Sequence, residues 1–139
     1  MARASLPPLV VLLAGDELTR SITTSCLEAS GYDVLSARTA GEVEALLLSQ
    51  TVLRRVDVLV TDADVRDAVE GVSLGAVARC LDPAVGVIYT TRSPRTLPDA
   101  IVAGAPCLRT PYHAHQLVRL IADLPRSPEP GRTAVRRAA

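Results

Sequence analysis

The 139-residue chain contains no lysine, no phenylalanine and no tryptophan. All fifteen of its basic residues are arginine. Without Phe or Trp, a core has to be assembled from Leu, Val, Ile and Ala. The longest early apolar run, Leu9 to Ala14, is far too short to cross a bilayer. One arginine, Arg3, precedes Pro7 and Pro8, with no signal-peptide pattern, so a cytoplasmic protein is expected. Cys26, Cys80 and Cys107 are scattered and odd in number, with no CxxC or Cys/His ligand spacing. They read as small buried apolar residues.

What is present suits one domain. Hydrophobic residues make up 48% of the chain, and a length of this order builds a single core. Residues 1–8 read as an N-terminal extension, 9–125 as the domain and 126–139 as a tail. That tail holds four Arg, one Glu, three of the Pro/Gly breakers and no hydrophobic period, so a disordered end is expected. Without aromatics, its arginines do not make a specific nucleic-acid signal.

Apolar periodicity alternates along the domain. Strands are expected over Leu9–Leu13, Asp33–Ala37, Val56–Asp62, Ala84–Thr90 and Ala105–Arg109. Between them, Leu18, Ile22, Cys26 and Ala29 predict the buried face of a first helix, ended by Gly31 as a left-handed cap. Thr39-Ala40-Gly41-Glu42 matches a capping box ahead of Val43, Leu46 and Leu47. Leu74, Val77, Ala78 and Leu81 predict a third helix. A short fourth, beginning near Leu97 because of Pro98, reaches Ile101 and Val102. Leu117, Val118, Ile121 and Leu124 line a fifth. Five strands alternating with five helices imply an α/β fold with a parallel sheet covered on both faces.

The third strand ends on Asp62, a carboxylate delivered to the carboxyl edge of the sheet, where open α/β folds place their chemistry. As a plain turn residue it would need no further account. Its company is more informative. Ala14-Gly15-Asp16-Glu17, Thr90-Thr91 and Thr110-Pro111 end neighbouring strands and can converge with it.

From Leu9 to Leu124 the chain resembles a response-regulator receiver domain of two-component signalling. The resemblance is carried by VDVLVTD ending at Asp62, VEGVSLGAVAR, VIYTT at Val87–Thr91 and GAPCLRTPY at Gly104–Tyr112, in order and at receiver spacing. It implies a doubly wound, flavodoxin-like sheet of order 2-1-3-4-5. It makes Asp62 the phosphoacceptor, Thr90 the switch hydroxyl and Thr110-Pro111 a cis peptide bond. It also implies Mg²⁺ held by an acidic pair after the first strand, with the backbone carbonyl of Asp64 contributing.

The chain departs from that pattern. The acidic pair is replaced by Ala14 and Gly15, leaving Asp16, Glu17, Asp62 and Asp64 as the candidate metal ligands. The lysine position holds Thr110, and the position of the aromatic switch residue holds Cys107. Arg109 points away by strand alternation. Losing one group that stabilises phosphoryl charge often costs on the order of a hundredfold. Phosphorylation at Asp62 is therefore expected to be slow, metal-poor or absent.

The leading expectation is a stand-alone, degenerate receiver in phosphorelay signalling, working by protein contact and with no enzymatic activity beyond self-phosphorylation. Expected partners are a histidine kinase, a phosphotransfer protein or an effector, with a homodimer through the last helix–strand–helix face as a further option. A working phosphoacceptor with a Mg²⁺ site rebuilt from Asp16 or Glu17 is the alternative. Asp62-Ala63-Asp64-Val65 also echoes the DxD motif of haloacid-dehalogenase phosphatases, though on the third strand rather than the first. An EF-hand reading fails, because Asp67 and Ser73 occupy the positions that need Gly and Glu.

Overall fold

The computed structural model describes residues 6–67, 69–97 and 101–125. Residues 1–5 of the expected extension and the whole 126–139 tail lie outside the described residues.

Five strands, β1 (Leu9–Leu13), β2 (Asp33–Ala37), β3 (Val58–Asp62), β4 (Gly86–Thr91) and β5 (Cys107–Arg109), form one sheet of order β2-β1-β3-β4-β5. All four pairings are parallel. Four α-helices are described: α1 (Glu17–Ala29), α2 (Ala40–Leu53), α3 (Leu74–Leu81) and α4 (Ala114–Asp123).

Alternation along each strand divides the core in two. Leu9, Val11, Leu13, Leu59, Val87 and Tyr89 face one side of the sheet, where Val43, Leu47, Leu74 and Ala78 of α2 and α3 cover them. Val10, Leu12, Ala14, Val60 and Ile88 face the other, beneath Leu27 of α1 and Leu117 and Ile121 of α4. The central strands are thus buried on both faces, which is why they read as continuous apolar runs. Tyr89 is fully buried, and its hydroxyl accepts a hydrogen bond from Val102 N–H at 3.0 Å.

The expected capping box at α2 is present, with Glu42 N–H donating to Thr39 Oγ1 at 3.2 Å and Thr39 N–H donating to Glu42 Oε1 at 3.4 Å. Gly31 has φ +98°, the left-handed conformation that ends α1.

Three expectations need correction. Leu18 and Ile22 are not the buried face of α1; they are 68% and 53% exposed, and Thr23 and Leu27 are buried instead. Periodicity found a stripe, but two stripes satisfied it. Thr23 tolerates burial because its hydroxyl meets Tyr112 Oη at 3.1 Å, across 89 residues of sequence. The cysteines are not buried either: Cys26 is partly exposed, while Cys80 and Cys107 are exposed. Cys107 lies on the short edge strand β5, where alternate residues face outward.

Thirdly, no α-helix is described between β4 and β5. A 3₁₀ turn at Pro94–Thr96 takes its place, and Ile101 and Val102 are non-helical. Residues 98–100 of the expected helix lie outside the described residues. Pro94 and Pro98 leave too little uninterrupted chain for an α-helical nucleus. Leu81, on the apolar stripe that marks α3, is 37% exposed at its last turn.

Candidate functional site

A cleft opens at the carboxyl edge of the sheet between β1, β3, β4 and β5, lined by Ala14, Gly15, Asp16, Asp62, Thr90 and Thr110 together with Asp64, Arg92 and Tyr112. Strand alternation explains the selection. Ala14, Val60 and Ile88 face the α1/α4 side, so Asp62 and Thr90, two residues further along β3 and β4, end on that side too. These last two are register partners in the β3–β4 ladder.

Asp62 is partly buried there. Its Oδ1 accepts from Asp64 N–H at 2.9 Å, and the Gly15 N–H also donates to its carboxylate. Burial pushes the Asp62 carboxyl above the usual carboxylate range, and the nearby Asp64 charge adds to that. The two N–H donors and the Arg92 guanidinium pull the other way without cancelling it.

This shift has a consequence for stability. The folded state holds the Asp62 proton more tightly than the unfolded chain, whose aspartates titrate near about pH 3.9. As pH rises through and above that value, ionisation costs the folded state stability, and the cost persists at neutral pH. Asp62→Asn is therefore expected to raise the urea midpoint at pH 7. The advantage should shrink as both proteins are taken below about pH 4. An Asn variant no more stable than the parent at pH 7 would contradict this account.

Asp16 lines the cleft but its carboxylate has a structural task. Its Oδ2 accepts from Thr19 N–H at 2.8 Å and from Thr19 Oγ1 at 2.7 Å, capping α1. These bonds hold its carboxyl below the usual range. Glu17 stands exposed on the first turn of α1. Among the described residues no three His, Cys, Asp or Glu side chains come together to hold a metal ion. The donor set present does not assemble a receiver-type Mg²⁺ centre: Ala14 and Gly15 offer no carboxylate, and Asp16 is turned to its helix.

Asp64 is equally committed. Its Oδ1 accepts from Thr91 Oγ1 at 2.8 Å and its Oδ2 from Arg92 N–H at 2.9 Å, with Arg92 Nε 3.6 Å away. The carboxylate thus ties the loop after β3 to the end of β4. Arg92 is the cation that sequence reasoning missed. The sequence points to Arg109 at the end of β5 and Thr110 after it, whereas the positive charge at the rim comes from Arg92, the residue that follows β4. The adjacency was legible; its direction into the cleft was not.

Thr110 lines the cleft, its N–H donating to Thr91 C=O at 2.9 Å, and the Thr110–Pro111 peptide bond is cis. Tyr112 follows, half-buried, with its hydroxyl on Thr23 and close enough to Asp62 to feel its charge.

Asp67, which fills the position where an EF-hand needs Gly, caps a helix from a distance. Its carboxylate accepts from Ala40 N–H at 2.8 Å and Gly41 N–H at 3.1 Å, at the start of α2. Asp67→Ala is expected to cost about 1 kcal/mol, the usual worth of an N-cap, read from urea unfolding. The loop amides should also exchange faster, since the bond that anchors the loop to α2 is lost. Unchanged stability and exchange would show the cap to be redundant with Thr39.

No family model matches the chain, and no curated protein matches it either. Solved structures do. The chain is similar to a response regulator receiver protein from Sinorhizobium medicae, with 20% identity and a TM-score of 0.69 over 85% of this chain and 94% of that one. It is similar to the chemotaxis protein CheY4 of Vibrio cholerae, with 18% identity and a TM-score of 0.71 over 86% and 99%. It also matches the receiver domain of the hybrid histidine kinase CckA, with 19% identity and a TM-score of 0.68 over 82% and 95%. The fold is that of a response-regulator receiver domain. Its sheet order is the one that the receiver resemblance of the sequence implies. Among the described residues, no helix is long and apolar enough to cross a membrane.

Proposed function

We propose that this chain is an atypical receiver acting in phosphorelay signalling mainly through protein contact, with phosphorylation at Asp62 weak or absent. The observation that carries this reading is the company of the Asp62 carboxylate. It ends β3 in the cleft beside Ala14, Gly15 and Thr110, while Asp16 is held in a helix cap. A carboxylate attacking a phosphoryl group needs its negative charge offset. Here the rim offers Arg92, itself paired with Asp64.

Thr90 keeps the switch hydroxyl position, and Cys107 is too small to serve as an aromatic switch. The partner is a cytoplasmic histidine kinase, phosphotransfer protein or effector. The phosphatase reading is disfavoured because Asp64, the second Asp of the DxD echo, already accepts two hydrogen bonds.

One observation favours a second reading: Asp16 lines the same cleft as Asp62 and Asp64. By giving up its Thr19 bonds it could join a rebuilt Mg²⁺ site, with or without Glu17. Incubation with acetyl phosphate and Mg²⁺, followed by intact-mass measurement, separates the two. Little or no added phosphoryl mass supports the contact reading. A prompt, Mg²⁺-dependent gain that disappears in both Asp62→Asn and Asp16→Ala establishes the rebuilt site.

A further inference from the structure

The outer seam between α1 and α4 brings together two residues that no role above uses. Cys26 of α1 and His115 of α4 are 89 positions apart in sequence, yet Cys26 Sγ lies 3.9 Å from His115 Nδ1. Two shallow grooves meet at this pair. One is lined by Ile22, Ser25 and His113, the other by Ser30, Val118 and Ala122.

We propose that Cys26 and His115 form half of a zinc site, completed by the same two residues of a second copy of this chain. Thiolate and imidazole are the ligand types zinc prefers. With Zn–S about 2.3 Å and Zn–N about 2.0–2.1 Å, two ligand atoms of a tetrahedral site stand roughly 3.5 Å apart. The observed spacing is within a small rotamer adjustment of that edge. On binding, the Cys26 thiol releases its proton to solvent and the sulfur donates its lone pair to the ion.

One chain supplies two ligands where a structural zinc site takes four. Among the described residues no third His, Cys, Asp or Glu joins the pair, so the site is incomplete within a single copy. A two-fold axis through the ion would bring a second Cys26 and His115, giving a Cys₂His₂ set. The surroundings suit such a contact. Ile22 and Leu18 lie one and two turns before Cys26 on the same stripe of α1, and both are exposed. A second copy would remove this apolar surface from water. The exposed apolar stripe of α1 thereby acquires a use.

The test uses the full chain, treated with EDTA and kept in a phosphine reductant so that no disulfide forms. Zinc is then titrated while mass is followed by sedimentation equilibrium. The expected result is uptake of half an equivalent per chain, with the 14.7 kDa protein doubling in mass and reverting on addition of EDTA. Cobalt(II) in place of zinc should give a thiolate-to-metal charge-transfer band and the intense visible bands of a tetrahedral ion.

Cys26→Ser should lose the charge-transfer band and the dimer, and His115→Ala should lose the dimer. A Cys80→Ser/Cys107→Ser variant should keep both. Unfolding midpoints in EDTA, unchanged between parent and variants, show that the substitutions act on the metal and not on folding. A mass unaffected by zinc overturns the proposal. So does zinc bound one per chain without association, or a dimer that survives Cys26→Ser.

Discussion

Gly71→Ala is expected to destabilise the fold by roughly 3 kcal/mol or more, the range reserved for substitutions that force a packed structure apart. Gly71 follows the loop after β3, and a Cβ there would overlap the Asp62 carbonyl oxygen, with the carbonyl carbon only 3.0 Å away. The obstacle is backbone, which cannot rotate aside as a side chain would. Two hydrogen bonds hold it in place, from Thr61 Oγ1 to the Gly71 carbonyl at 2.7 Å and from Gly71 N–H to the Val65 carbonyl at 2.8 Å. Relief therefore means moving the loop that carries Asp64.

Two other glycines serve as controls. A Cβ on Gly15 would meet Val65 Cγ2 at an ordinary 3.4 Å, so Gly15→Ala should change stability by no more than about 0.5 kcal/mol. Gly41 sits in the first turn of α2 with its nearest contact at 3.6 Å. Alanine there should stabilise by about 0.4–1 kcal/mol, because it restricts the unfolded chain. Urea unfolding of the three variants reads all three outcomes. A Gly71→Ala protein as stable as Gly15→Ala would show that the loop yields freely.

Restoring the missing groups should produce the largest functional change. Ala14→Asp with Gly15→Asp returns the acidic pair, and Thr110→Lys returns a cation facing Asp62 across the cleft. Each restored element is expected to raise Mg²⁺-dependent phosphorylation from acetyl phosphate on the order of a hundredfold or more. The triple variant should therefore accumulate phosphoryl mass where the parent shows little. Addition of EDTA should abolish the gain, as should Asp62→Asn in the same background. If the triple variant, folded by circular dichroism, is no faster than the parent, the absence of these groups is not what limits phosphorylation at Asp62. Its raised proton affinity would then be the first place to look.

That Asp62 and Thr90 lie at the carboxyl edge of the sheet was legible because a buried parallel strand has to end there. That Ala14, Gly15 and Thr110 line the same cleft was legible on the same ground. Arg92 was not, since an arginine one residue past a strand can point to water or over the cleft. Here the backbone and side chain of Arg92 both meet Asp64, a partner 28 residues earlier. Asp67 was missed for a similar reason. It caps α2 across 27 residues, and a cap is recognised in sequence only when it adjoins its helix.

Hydrophobic run length and alternation, which depend only on local geometry, were enough to set the five strands, their parallel pairing and the two-sided core. The orientation of α1 was decided by tertiary structure alone. Leu18, Ile22, Cys26 and Ala29 form as regular a stripe as any in the chain, and Thr23 lies on a different one. Thr23 and Leu27 face inward because Tyr112 satisfies the threonine hydroxyl and the Leu27 side chain fills the space beneath α4. The apolar stripe is left outside, with Cys26 against His115. Periodicity records that a helix has a face; only its neighbours determine which face is covered.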